Sequence, residues 1–170
     1  DAQNIGLANV ANIPSELIEA EWPIKVTSYG FIPDSGGAGK HRGGLGLVRE
    51  WELLMEETQV QVRSDRRHFP PYGLQGGLPG KASNVTRNPG SDSQSQLPTK
   101  FVLNFHRGES LRVEWAGAGG WGNPLDRAPE LVLQDILSEK ITCQHAREVY
   151  GVVLKTNQSV VDADATFQLR

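Results

Sequence analysis

A single cysteine, Cys143, stands among the 170 residues, so an internal disulfide and a cysteine-built zinc site are both excluded. Its neighbours Ile141, Thr142 and Gln144 offer no thiolate-stabilising charge beyond His145, which predicts a partly buried structural thiol. Apolar residues make up only 38% of the chain, low for a compact globule. No run approaches transmembrane length and no signal peptide is visible, so the expected setting is reduced and cytoplasmic. A net charge of −3 gives no footing for nucleic acid or an anionic membrane, although Lys and Arg gather between Lys40 and Arg67. Mixed surface charge accounts for that patch.

Catalytic signatures are scarce as well. The nucleophile elbow Gly-x-Ser-x-Gly does not occur. His41, His68, His106 and His145 lack paired-ligand spacing, so scattered polar histidines and no metal site are expected. Ser35, His41 and Asp34 are too close in sequence to form a nucleophile–base–orienter chain. Glu56-Glu57 sits in a charged turn and is expected to be solvated. The catalytic residues are therefore unknown from the sequence.

What the chain does have is glycine, 19 in all, with 10 prolines. Six glycines fall within residues 34–46, and the candidates to hold that loop in place are Asp34, Lys40 and Arg42. A P-loop is excluded because Gly39-Lys40 is followed by His41, and because the pattern downstream is strand-like rather than helical. Gly37-Ala38-Gly39 lacks the strand–turn–helix setting of a dinucleotide site. The expectation is a structural loop between two strands, with Gly36, Gly37, Gly43 and Gly44 serving the backbone. Arg63, Arg66 and Arg67 have the fork geometry to grip a carboxylate or phosphate, and a salt bridge to Asp34 or to a partner chain is the favoured role.

Local patterns place the elements. Residues 1–12 are small and polar and predict an arm. A short helix follows, with Pro14 in its first turn and Ser15 or Asn12 as cap, ending before Pro23. Alternation predicts strands over residues 24–31, 47–54 and 58–63, with a turn at 55–57. Residues 64–80 carry four glycines and three prolines and are neither helix nor strand, but Phe69, Tyr72, Leu74 and Leu78 argue against disorder. Residues 82–96 predict a surface hairpin or excursion. Residues 100–105 and 110–115 are read as strands on either side of a turn at 106–109, the second with Leu111, Val113 and Trp115 on one face. A second glycine knot spans 116–124 and includes Gly119 and Gly120. Helices then open at Pro129 and, capped by Thr142, run to Tyr150 with Gly151 as the stop. Residues 152–154 predict a last strand. The expected class is α+β, mostly antiparallel, with glycine-rich loops and a helical carboxy-terminal section. Residues 1–124 are mainly β, 125–154 helical with the last strand, and 155–170 a tail.

Taken in order, several of these stretches resemble the carboxy-terminal part of hydantoinase B and oxoprolinase family proteins, covering almost the whole chain. They are Asn12-Ile13-Pro14-Ser15-Glu16, residues 34–39, Arg42-Gly43-Gly44-Leu45-Gly46, Ser64-Asp65-Arg66, Leu97-Pro98-Thr99-Lys100, Gly119-Gly120-Trp121-Gly122-Asn123-Pro124 and Tyr150-Gly151-Val152-Val153-Leu154. The family's usual Tyr-Gly-Asp-Pro stands here as Trp121-Gly122-Asn123-Pro124, which places no acid at Asn123. The resemblance implies part of an ATP-dependent enzyme that opens a cyclic amide, N-methylhydantoin or 5-oxoproline. Ketone carboxylation and a non-catalytic docking domain are the alternatives. It also implies a hydantoinase A-like, ATP-handling partner in a hetero-oligomer, and ATP with a divalent metal for the whole enzyme. Neither is expected on this chain alone. Asp34, Arg42, Arg66 and Tyr72 are the residues expected to face a substrate or an interface. Asp1 as first residue and Met55 as the only methionine predict a piece or processed product of a longer protein.

Overall fold

The computed structural model describes residues 13–155 and 159–170, so the predicted arm at residues 1–12 lies outside them. Helix α1 (Ser15–Glu21) leads into strand β1 (Ile24–Phe31), followed by β2 (Leu47–Leu53) and β3 (Glu57–Arg63). Then come β4 (Asn84–Arg87), β5 (Ser95–Gln96), β6 (Lys100–His106) and β7 (Ser110–Glu114). Helices α2 (Pro129–Leu137), α3 (Cys143–Tyr150) and α4 (Ala163–Leu169) complete the order. The strands form one five-stranded sheet, β1-β2-β7-β4-β5, and a separate two-stranded ribbon, β3-β6. All pairings are antiparallel, so the class is α+β.

Period-2 patterning accounts for the strands. Alternate residues of β1 are half-buried, and a bulge between Val26 and Ser28 shifts its register against β2. Leu111 and Val113 of β7 point inward with Leu53, Val85, Leu97 and Phe105, and Val60, Val62, Trp51 and Trp115 pack around them. A second apolar cluster lies under the helices, where Val132, Ile141, Ala146, Tyr150 and Val152 meet Ala38 of the glycine loop. Fully burying such side chains contributes about 1.5–3 kcal/mol each.

The structure corrects the sequence in several places. The turn at 106–109 does not join a hairpin: β6 pairs with β3, while β7 pairs with β2 and β4. The turn docks on β2 instead, with Leu53 N donating to Glu109 O and Gly108 N to Leu53 O. Helix α1 has Pro14 at its N-cap with no side-chain bond, and Ser15 is already helical. Pro14 suffices because its ring fixes φ for the first turn. Glu19 ties the helix down by accepting from Val26 N at 2.7 Å. Residues 84–96 do form a hairpin, but β4 is not superficial, since Val85 and Thr86 are buried and β4 pairs with β7. Residues 152–154 are no strand, for only Leu154 bridges Val161. Thr166 takes their backbone through its hydroxyl, which accepts from Val153 N at 3.0 Å. Helix α4 supplies that threonine from a stretch whose composition suggests only a tail. Thr142 and Gly151 act as the sequence predicts: the Thr142 hydroxyl accepts from His145 N, and Gly151 stops α3 in the left-handed region at φ 62.

Candidate functional site

Three glycine-rich segments, residues 35–46, 71–80 and 116–122, interlock at one junction beside the sheet. Their backbones bond to one another: Gly37 N donates to Ala118 O, Ala118 N to Gly44 O, Leu78 N to Ala38 O, and Gly120 N to Leu78 O. None of the glycines between 36 and 46 has a positive φ. Glycine is required there by close approach. A Cβ on Gly37 would fall on the carbonyl oxygen of Leu78, and one on Gly43 on that of Ala118. Gly36 meets the Gly43 carbonyl, Gly119 that of Tyr72, and Gly120 that of Ala38 in the same way. Gly44 accepts from Ala118 N through its carbonyl, holding the loop to the second knot. The amides of Gly37 and Gly43 already serve backbone carbonyls, so this loop does not fit a phosphate cradle.

Asp34 and Arg42 do not close the loop on each other; each fastens it to the helical section. Asp34 adopts φ 58, its N–H donates to Lys140 O, and its carboxylate accepts from Thr142 N at 2.7 Å and the Thr142 hydroxyl at 2.8 Å. The favoured ion pair between Asp34 and the arginines downstream is therefore replaced by a helix start. Arg42 donates from Nε to Asp135 at 3.2 Å and from a terminal nitrogen to Gly43 O at 2.6 Å. Arg127 reaches the same Asp135 oxygen at 2.8 Å and also Lys40 O at 3.1 Å. These three side chains are about nine-tenths buried, at 9%, 12% and 8% exposure for Arg42, Arg127 and Asp135. Tyr150 is fully buried beside them, and burial pushes its hydroxyl pKa up, partly opposed by Arg127 and Arg42.

Arg66 and Tyr72 fall on the outside. Arg66 is exposed at φ 66, its carbonyl accepting from Ser83 N. Arg67 instead donates inward to Leu97 O and Gln96. Tyr72 is 73% and Phe69 81% exposed, so backbone bonds rather than buried side chains order residues 64–80. Leu74 and His41 both bridge Trp121, whose ring lies 5.5 Å from that of His41. Among the described residues no three His, Cys, Asp or Glu side chains gather as a metal site would need, so the residues present do not fit a metal centre. Two features escape sequence reasoning: the Arg42–Asp135–Arg127 cluster and a second lock, in which Arg87 pairs with Glu109. The signal for the first is an acid at Asp135 one turn beyond Val132, on the face that α2 buries.

Comparison with known proteins places this arrangement. The Hydantoinase B/oxoprolinase family matches over residues 1–124. The chain belongs to that family. Across its whole length it is 34% identical to a putative D-/L-hydantoinase B subunit of Pseudomonas sp., covering 29% of that protein. It is 30% identical to the acetophenone carboxylase delta subunit of Aromatoleum aromaticum, over 92% of this chain and 27% of that one. Among solved structures, an ATP-dependent caprolactamase from Pseudomonas jessenii superposes with a TM-score of 0.76 at 26% identity, over 91% of this chain and 27% of that chain. This hydantoinase B family chain thus spans less than a third of the length of these relatives. No helix among the described residues is long and apolar enough to cross a membrane.

Proposed function

We propose that the chain is a portion of the B subunit of an ATP-dependent enzyme that opens a cyclic amide, a hydantoin such as N-methylhydantoin or 5-oxoproline. The observation that carries this reading is the 34% identity, across the whole chain, to a putative hydantoinase B subunit. Amide resonance makes such a ring slow to hydrolyse. ATP supplies a phosphoryl group to the amide carbonyl oxygen, which turns that oxygen into a better leaving group. Water then adds to the carbon and the C–N bond breaks, its electron pair and a proton ending on nitrogen, and a second water hydrolyses the acyl phosphate so formed to the open acid and phosphate. The partner in this reading is a hydantoinase A-like, ATP-handling subunit, the assembly a cytoplasmic hetero-oligomer using a divalent metal. The phosphate and metal chemistry belongs outside these 170 residues. Their own contribution is the interlocked backbone junction, with Tyr72 exposed on it and Arg66 exposed on the segment that leads into it.

The assay is ATP-dependent turnover by the assembled enzyme, offered hydantoins, 5-oxoproline, or ketones with bicarbonate. Ring opening matched by ADP release is expected, and none from the 170-residue chain alone, because no three His, Cys, Asp or Glu side chains among its described residues gather as a metal site would need. The acetophenone carboxylase relative favours one competing outcome. Ketone carboxylation without ring opening would overturn the hydrolase reading. Ring opening by the isolated chain would overturn the division of labour.

A further inference from the structure

An open cleft of about 1320 Å³ lies between the five-stranded sheet and the β3-β6 ribbon. Its two walls are built differently. On the sheet side alternate residues line it, Leu47, Trp51 and Leu53 from β2, then Leu111, Val113 and Trp115 on and just after β7. Alternation means that one face of the sheet looks into the cleft. On the ribbon side every residue from 58 to 63 lines it. With the whole run at the cleft, a margin of β3 and not one side-chain face alone borders it. Strand β3 pairs with β6 alone among the described residues, and their register runs unbroken from Glu57 to Arg63. Its second edge therefore presents main-chain donors and acceptors to the cleft.

Natural edge strands are blunted by charges, proline or a bulge. Between Thr58 and Val62 this edge has none of these. A cyclic amide does not fill the space, for small-molecule pockets run to about 300–1,000 Å³. An extended peptide does: its backbone would bond the β3 edge and its alternate apolar side chains would lie against Trp51 and Trp115, which the sheet leaves half-buried beside the cleft. The relatives carry more than twice as much chain outside the matched portion as within it.

We infer that this cleft seats an extended strand with alternating apolar residues, supplied by the part of the B subunit that the relatives carry beyond the matched portion, and that the strand pairs with the free edge of β3. The inference rests on the reading of this chain as a portion of that longer protein, and not on which substrate the enzyme takes.

Amide hydrogen exchange across residues 57–63 tests it, followed in the intact longer subunit and in the 170-residue chain, without nucleotide or substrate. The β3 amides that do not donate to β6 should exchange about tenfold or more slowly in the intact subunit than in the short chain. Trp51→Lys in the intact subunit should abolish that difference, with unchanged exchange in α3 as the control that the fold is kept. Equal exchange in both proteins would overturn the inference. So would protection of the short chain that grows with its own concentration, which points to a second copy, or that appears on adding N-methylhydantoin, which points to a small ligand. Since exchange is read without turnover, an enzyme that carboxylates ketones would still show the protection.

Discussion

Asp135 is where the glycine loop and the helices are held by charge. Two guanidinium groups share one carboxylate, all largely out of water. Removing one partner of a buried ion pair leaves the other uncompensated, at a cost of about 3–5 kcal/mol. Asp135→Asn should approach that figure, because Arg42 and Arg127 then lose the carboxylate they share. Arg42→Lys should cost less, about 1–3 kcal/mol, since Arg127 still neutralises Asp135 while the fork between Asp135 and Gly43 O is lost. Urea unfolding of both variants checks the order; an equal loss would deny the cluster its shared anion. A second residue carries a pH signature. Arg87 above all, then His106 N–H and Asn88, hold the Glu109 pKa at about 2 against an ordinary 4.5. With the folded value depressed, the stabilisation is fully present above about pH 4.5 and is lost as pH falls toward 2. Glu109→Gln should therefore lower the urea midpoint at neutral pH and weaken its fall across that window. A variant that loses midpoint equally at every pH would show that the carboxylate is not the acid-sensitive group.

Among the elements, the glycine junction is ruled by space and not by backbone conformation. Because Gly43 carries an ordinary φ, alanine would be tolerated there but for the Ala118 carbonyl that its Cβ would strike. Backbone cannot yield as a side chain can, so Gly43→Ala should exceed the ~1–3 kcal/mol of ordinary overpacking. Gly30 in β1 has nothing within 4 Å of a built Cβ. Gly30→Ala should accordingly be neutral or stabilising by up to about 1 kcal/mol. Melting curves of the two single variants form the test, and similar losses in both would return the cause to glycine's flexibility. The same level explains the strand-pairing corrections. Alternation in residues 100–105 and 110–115 tells which face of each strand is apolar, not which neighbour it pairs with. Here both β3 and β6 turn apolar residues, Val60, Val62, Phe101 and Phe105, onto the cluster built by β2, β4 and β7.

For the molecule as a whole, the layout explains why a chain with 38% apolar content folds with two small cores rather than one. One core lies under the helices and the other under the sheet; the glycine junction joins the first through Ala38, and its Leu45 lines the cleft beside the second. The chain spans less than a third of the hydantoinase B relative that it matches along its whole length. Local sequence determined much of this: the β1, β2, β6 and β7 positions, the caps of α3, the glycine knots and the family itself. These follow from period, capping chemistry and glycine spacing, which act over a few residues. Only the tertiary structure decided that β3 and β6 leave the main sheet, that Asp34 starts α3, and that Arg42 meets Asp135 across 93 positions of sequence. Contacts at that separation are chosen by which buried charges and apolar faces satisfy one another in three dimensions, a choice that no short window of sequence contains.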